Sequence, residues 1–208
     1  MITPHHIKIK FADLAQLTNM HIMLNEGFQM TEDEFFEFCQ ENRELKFERT
    51  KEGNIIVMTP TGLDTGGRNS EVNFELSKWN RQNNYGRVFD SSTGFTLPDK
   101  SVLSPDASIV AHHRLDQLSA EDRAKFGHIC PEFVIELKSP SDRVPALKNK
   151  MQDWLNNGVQ LGWLINPETQ KAYIYRPGQE VEEVMGFDAI LSGESVLKGF
   201  ELDLSILK

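Results

Sequence analysis

The sequence predicts one α/β (α+β) domain with a central mixed β-sheet flanked by helices. The first observation is the order of elements: amphipathic helical segments alternate with short β-rich runs as α, β-hairpin, α, several β, α, β, α, β, β. The second is the length of 208 residues, which suits one domain with its own core. The third is the composition, 39% hydrophobic and 25% charged, which excludes disordered, collagen-like and disulfide-scaffold chains.

The first half of the chain begins with a weakly patterned segment, residues 1–30, expected to be an N-terminal arm or helical extension before a domain over 31–208. Thr31 and Glu34 have capping-box spacing, so a helix should begin at Thr31. A hairpin follows over 45–58. The glycine-containing stretch 60–67 predicts a loop before a helix over 69–83.

The second half is predicted from its β-rich runs and punctuating Pro and Gly residues. The expected elements are strands at 87–91, 94–97 and 106–111, a short helix at 119–126, a strand at 132–138, a helix at 146–157, a hairpin of 159–165 with 171–176, and an acidic tail of short strands over 180–208.

Several classes are disfavoured by simple counts. No apolar run approaches the roughly 18–20 residues that span a membrane, and the N-terminus has no signal-peptide pattern, so we expect a cytoplasmic protein without membrane contact. Cys39 and Cys130 predict reduced, buried thiols, with a single disulfide as the alternative. The net charge of −9 argues mildly against a nucleic-acid partner, although the acids concentrate in 26–48 and 177–204 and leave the middle of the chain free.

The strand over 132–138 carries the most informative chemistry. Alternate residues share a face of a strand, so Phe133, Ile135 and Leu137 should point one way. Val134, Glu136 and Lys138 should then point the other way. A carboxylate and an ammonium on an otherwise apolar strand are costly unless they are paired or coordinated, which favours a functional site.

A second carboxylate, Asp106, begins another apolar run. If the two strands are neighbours, Asp106 and Glu136 could share Mg²⁺ or Mn²⁺, with the main-chain carbonyl of Leu137 as a further oxygen ligand. Lys138 could then assist the attacking water or offset charge on a phosphate. The alternative is a solvated surface ion pair, since most Glu–Lys pairs are solvated.

The chain contains chance copies of both halves of this pattern. Glu44-Leu45-Lys46 repeats the Glu-x-Lys motif, and Pro98-Asp99 repeats Pro-Asp. Neither copy is attached to an apolar strand. The set of Asp106, Glu136 and Lys138 is therefore the better candidate.

A Pro-Asp step followed by a strand ending in Glu-x-Lys resembles the PD-(D/E)XK nuclease superfamily, and more closely the Uma2 family of restriction endonuclease-like proteins. The resemblance runs from about Thr31 to the C-terminus. Its ordered segments are 47–50, 58–62, 68–71, 91–95, 104–106, 136–142 and 162–167. It implies a restriction endonuclease-like core, with Asp106 and Glu136 as metal ligands and Lys138 as the catalytic lysine.

The superfamily often adds an acid from an early element. Glu48 and Glu71 both qualify, and the family pattern favours Glu48 in the first strand of the hairpin. The alternative readings are an exposed strand acid for Glu48 and favourable helix N-terminal charge for Glu71. Three further residues are possible supports. Ser139 could contact phosphate, although a capping turn is preferred; Lys150 could contact the phosphate backbone; and Gln152 could orient the site.

These residues predict an Mg²⁺- or Mn²⁺-dependent endonuclease acting on DNA. A homodimer would place two sites on two strands. One alternative is a nuclease-fold nucleic-acid-binding or scaffold protein whose site is vestigial. Another is a defence or mobile-element component that needs a targeting partner.

Overall fold

The computed structural model of the protein describes residues 21–22, 30–58 and 60–208. The predicted N-terminal arm or helical extension, residues 1–30, therefore lies outside the described residues apart from 21–22 and 30. Within the described part of the chain, no helix is both long enough and apolar enough to cross a bilayer.

The helices cover most of the predicted helical segments. They are α1 (Glu32–Glu41), α2 (Leu63–Asn83), α3 (His112–Leu115), α4 (Ala120–Ala124), α5 (Val144–Asn156) and a final 3-10 turn (Leu204–Leu207). The strands are β1 (His21–Ile22), β2 (Lys46–Arg49), β3 (Ile55–Met58), β4 (Gly86–Asp90), β5 (Phe95–Thr96), β6 (Val102–Leu103), β7 (Ala107–Ala111), β8 (Phe133–Leu137), β9 (Leu161–Asn166), β10 (Lys171–Tyr175), β11 (Glu182–Met185), β12 (Ile190–Ser192) and β13 (Glu201–Asp203).

Six strands form the central sheet in the order β11-β10-β9-β8-β7-β4. Strands β8 and β9 are parallel, and the other neighbours are antiparallel, so the sheet is mixed. A second, antiparallel sheet has the order β1-β3-β2-β6-β5. The prediction of a central mixed sheet flanked by helices is confirmed.

Helices α2 and α5 cover opposite faces of the central sheet. Val72 and Leu76 of α2 belong to the same core as Phe133 and Ile135 of β8. On the other face, Met151 and Trp154 of α5 pack with Val134. The predicted alternation along β8 is therefore confirmed: Phe133, Ile135 and Leu137 face α2, while Val134 faces α5.

The start of α2 differs from the sequence prediction. The helix begins at Leu63 instead of residue 69, and it contains Gly66 and Gly67, which had predicted a loop. The amide of Gly66 donates to the carbonyl of Gly62, and Thr65 is buried, so packing outweighs the low helix propensity of glycine. This extra length places Asn69 inside the helix.

Local signals at two other positions agree with the structure. Thr31 and Glu34 form the predicted capping box at the start of α1. Cys39 and Cys130 are free thiols, and burial raises the pKa of each to about 12, so both stay protonated.

Candidate active site

Asp106 lies immediately before β7 and beside the end of β8. Ala107 pairs with Ile135 in the antiparallel ladder, and the next step of that register brings residue 106 alongside residue 136. The Leu137 amide donates a hydrogen bond to Oδ2 of Asp106 at 2.7 Å. The structure thus brings together the two strand ends that the sequence singled out.

Glu136 points from β8 toward helix α5 and is only 3% exposed. Its Oε1 accepts a hydrogen bond from Nε1 of Trp154 at 2.8 Å and lies 2.9 Å from Nζ of Lys150. Its Oε2 is 3.2 Å from the same ammonium. Lys150 and Trp154, one turn apart on helix α5, therefore hold both carboxylate oxygens of Glu136 in place.

Glu48 reaches the same ammonium from the second sheet. Its Oε1 lies 2.8 Å from Nζ of Lys150 and accepts the Ser104 amide at 2.9 Å. The carbonyl of Ser104 accepts the third hydrogen bond of Lys150, also at 2.9 Å. An ammonium has three donors, so Lys150 is fully satisfied by Glu48, Glu136 and Ser104.

We call Glu48, Asp106 and Glu136 the carboxylate cluster. With all three ionised and Lys150 as the counter-charge, the group carries a formal charge of −2. Burial, with Asp106 and Glu48 adding to it, raises the pKa of Glu136 to about 8 against the opposing effects of Lys150 and Trp154.

The pKa values of Asp106 and Lys150 are shifted by the same surroundings. Burial also raises the pKa of Asp106, although the Leu137 amide, Lys150 and Asn69 oppose it. Burial alone would lower the pKa of Lys150, but Glu136 and Glu48 raise it above its usual value, so the side chain is an ammonium.

Two features of the cluster suit a hard divalent cation. The first is the excess of buried carboxylate oxygen over positive charge. The second is Asn69, whose Nδ2 donates to Oδ1 of Asp106 at 3.0 Å while its own buried Oδ1 has no hydrogen-bond partner in the described part of the chain. A bound water or a cation beside these carboxylates would satisfy this acceptor.

The cluster is not a complete metal cage. Among the described residues, no three or more His, Cys, Asp or Glu side chains converge in a way that could hold a metal ion. Glu48 and Glu136 are instead drawn together by Lys150. With so few protein ligands available, any cation bound here would have to keep much of its water, as Mg²⁺ does.

Lys138 forms its polar contacts outside the carboxylate cluster. Its Nζ donates to the carbonyl of Ser139 at 2.9 Å and to Oε2 of Glu168 at 2.8 Å. Its side chain is 7% exposed, whereas that of Glu168 is 50% exposed. The structure thus joins Lys138 to the turn after β9 and brings it into contact with neither Asp106 nor Glu136.

The remaining predicted residues have different surroundings. Glu71 is exposed on α2, and Gln152 is exposed on α5, where its Nε2 donates to Oδ1 of Asn156 at 3.0 Å. The amide and hydroxyl of Ser139 both donate to Oδ2 of Asp142, at 2.8 and 2.6 Å. That geometry is the local turn favoured for Ser139 from the sequence.

The sequence analysis singled out neither Asn69 nor Trp154 as a site residue. Asn69 and Asn73 share a face of α2, and Nδ2 of Asn73 donates to the carbonyl of Asp106 at 2.9 Å. Two asparagines at i and i+4 within a helix are a usable signal, because Asn is a poor helix former. Nothing in the pattern distinguishes the hydrogen-bonding Trp154 from an ordinary core tryptophan.

A cavity of about 760 Å³ lies elsewhere, between α1 and the second sheet. Arg49, Lys100, Lys125 and His128 contribute to its lining, and no member of the carboxylate cluster does. The candidate chemistry is therefore at the carboxylate cluster and not in this cavity.

Comparisons with known proteins identify the family and agree with the fold. A family model described as "Uma2: Putative restriction endonuclease" matches residues 32–205. A solved structure, titled a putative nuclease belonging to DUF820 from Anabaena variabilis, superposes with a TM-score of 0.70 at 24% identity, covering 86% of this chain and 97% of that one. At this identity the likeness establishes the fold. No match was found among curated proteins.

Proposed function

Because this chain belongs to the Uma2 family, we propose that it is a divalent-metal-dependent endonuclease that hydrolyses phosphodiester bonds of DNA. The observation that carries the proposal is the carboxylate cluster at the end of β8, which brings three carboxyl groups beside one ammonium, together with the orphaned Oδ1 of Asn69. The nuclease fold shared with a solved structure supports the same class of reaction.

Asp106 and Glu136 are proposed to hold the cation, with the main-chain carbonyl of Leu137 as a further oxygen donor. Glu48 is proposed as the additional acid. The chemistry that Mg²⁺ or Mn²⁺ supplies when bound is polarisation of a phosphoryl oxygen and activation of water. The resident residues supply pre-organisation: the Leu137 amide and Asn69 fix Asp106, while Trp154 fixes Glu136.

Lys138 is proposed to stabilise charge on the scissile phosphate or to assist the attacking water. Its ammonium pairs with the half-exposed carboxylate of Glu168, which borders solvent. Binding of a phosphate in place of Glu168 would keep the ammonium paired. Ser139 then acts through the turn that fixes Lys138. Glu71 and Gln152 are exposed, and we assign neither a role in the cluster.

DNA as the substrate, a homodimeric assembly and a cytoplasmic location are parts of the same proposal. A dimer would place one cluster on each strand of a duplex. The net charge of −9 means that phosphate contacts must come from local basic residues, a second subunit or a targeting partner.

A second candidate function is supported by one observation. Lys150 already forms ion pairs with Glu48 and Glu136, and such a pairing would suit a nucleic-acid-binding or scaffold protein that holds no metal. The two functions differ in whether the cluster takes up a cation.

A plasmid-cleavage assay with Mg²⁺ or Mn²⁺ tests the proposal. Wild-type protein should nick the plasmid only with metal, and Asp106→Asn, Glu136→Gln and Lys138→Met should each lose activity by about 100-fold or more. The matched control is Glu71→Gln, an exposed acid on α2, which should cleave like the wild type. Cleavage by Glu136→Gln at the wild-type rate would refute the assignment.

A further inference from the structure

The ammonium of Lys150 lies among the groups that a cation would need. Its Nζ is 2.8 Å from Glu48, 2.9 Å from Glu136 and 2.9 Å from the carbonyl of Ser104. Both carboxylate oxygens of Glu136 are within hydrogen-bond distance of this one ammonium. The side chain therefore already binds a proposed metal ligand.

We propose that Lys150 is a built-in counter-ion of the carboxylate cluster, and that a divalent cation binds only in exchange for its ammonium. The inference rests on the proposed function, because it requires a cation site at Glu136. It assigns Lys150 a role that differs from phosphate contact: this residue sets the affinity of the site for metal.

The charges of the cluster explain why exchange is required. When all three carboxylates are ionised, the cluster and the ammonium together carry a formal charge of −2, and the cluster without the ammonium carries −3. A divalent cation at Glu136 and an ammonium at hydrogen-bond distance from the same carboxylate would repel each other in a poorly solvated site. Removal of the ammonium frees the carboxylate oxygens of Glu48 and Glu136. It also leaves their negative charge unopposed, which strengthens the attraction for a cation.

The position of Lys150 permits such an exchange. The side chain of Lys150 is 15% exposed, whereas the side chains of Glu48 and Glu136 are only 5% and 4% exposed. Its four-carbon stem can carry the ammonium to solvent by rotamer changes, without movement of the helix. The two glutamates stay in place as the ammonium leaves, because Trp154 and the Ser104 amide still donate to them.

The chain offers a matched control for this proposal. Lys138 is also a poorly exposed, salt-bridged lysine at the end of β8, but its partners are Glu168 and the carbonyl of Ser139. Removal of its ammonium should leave the charge at Glu136 nearly unchanged. Comparison of Lys150→Met with Lys138→Met therefore shows whether a change in cation affinity comes from exchange at Glu136 or simply from the loss of one positive charge.

Calorimetric titration with Mn²⁺ tests the exchange directly. Lys150→Met should bind Mn²⁺ about tenfold more tightly than the wild type, while Lys138→Met should stay within about twofold. Equal Mn²⁺ affinity of wild type and Lys150→Met would overturn the exchange and leave the proposed metal site standing. A wild type and variants that all fail to bind Mn²⁺ would overturn both.

Two further measurements keep the test decisive if Lys150→Met folds poorly. The double variant Lys150→Met/Glu48→Gln removes one charge of each sign and should bind Mn²⁺ more tightly than Glu48→Gln alone. In the wild type, the ¹⁵N-ammonium resonance of Lys150 should shift or vanish on addition of Mg²⁺, while that of Lys138 should not. An unchanged Lys150 resonance at a Mg²⁺ concentration that calorimetry shows to be saturating would refute the exchange.

Discussion

The ammonium of Lys150 in helix α5 lies 2.9 Å from Oε1 of Glu136 in strand β8. The contact joins two elements packed against each other on one face of the central sheet, and Glu48 of the second sheet completes it at 2.8 Å. An ion pair between two sheets and a helix is therefore part of both the fold and the candidate site. The effect of this ion pair on the free energy of unfolding can be measured separately from its effect on cation binding.

Lys150→Met should lower the free energy of unfolding by about 3 kcal/mol, because it leaves Glu48 and Glu136 buried without their counter-charge. Urea denaturation measures the loss. The control is Lys148→Met on the same helix, where an exposed ammonium lies 4.2 Å from the ring centroid of Tyr173 and should contribute about 0.5–1 kcal/mol. Equal losses in the two variants would contradict a structural role for the buried ion pair.

Two fully buried tryptophans provide a matched test of the hydrogen bond to Glu136. Trp154 donates to Glu136, whereas Nε1 of Trp163 has no partner among the described residues. Trp154→Phe and Trp163→Phe remove similar volume, but only the first leaves a buried carboxylate oxygen with one donor fewer. Trp154→Phe should therefore destabilise the protein by about 1–3 kcal/mol more, as measured by chemical denaturation. A larger loss in Trp163→Phe would refute this assignment.

How far the sequence predicts this site can be judged from particular residues. The alternation along β8 and the apolar run after Asp106 are local and were predictable. That Asp106 meets the end of β8 was expected only if the two strands are neighbours, and the pairing of β7 with β8 meets that condition. The contact between Lys150 and Glu136 was not, because it depends on how helix α5 is rotated against the sheet. A repeat of hydrophobic residues specifies the buried face of a helix only coarsely.

The position of Lys138 shows a related limit. Alternation places it on the same face as Glu136, but the strand ends at Leu137 and the flexible lysine side chain turns toward Glu168. Glu168 lies in a hairpin turn thirty residues later, and no short-range pattern connects the two.

The early start of α2 was missed for another reason: tertiary packing overrides the loop preference of Gly66 and Gly67.

His128 should give stability a pH dependence of definite sign. Its Nδ1 lies 2.8 Å from Asp122 and its Nε2 2.7 Å from Glu32, and hydrogen bonds to these two carboxylates raise its pKa above 6.5. A raised pKa in the folded state means that the contribution is complete below the unfolded pKa and is lost as pH rises through the folded value. The free energy of unfolding should therefore fall as pH rises above about 6.5.

His128→Gln should flatten this part of the stability profile, whereas His113→Gln, at an exposed histidine of α3, should not. Urea denaturation at several pH values measures both profiles. If the free energy of unfolding of His128→Gln falls with pH as steeply as that of the wild type, the pH dependence must come from another group. The change is expected to be modest, because 57% of the His128 side chain is exposed and solvent screens its ion pairs.

Gly86 is required by the close approach of strands β4 and β7. A Cβ at this position would lie 1.9 Å from the carbonyl oxygen of Val110, so Gly86→Ala forces the backbone apart and should cost about 3 kcal/mol or more. Gly67 in helix α2 has open space around it, and Gly67→Ala should stabilise the protein by about 0.5–1 kcal/mol. Thermal unfolding of the two variants should therefore shift in opposite directions, and a stable Gly86→Ala would contradict the strand pairing.

The most direct test of the central claim is a calorimetric measurement of Mn²⁺ binding by the wild type, Asp106→Asn, Glu136→Gln and Glu71→Gln. One binding site is expected in the wild type and in Glu71→Gln, and the Mn²⁺ affinity should be at least about tenfold weaker when Asp106 or Glu136 is neutralised. Undiminished binding in both Asp106→Asn and Glu136→Gln would mean that the cation is held elsewhere and would refute the proposed metal site.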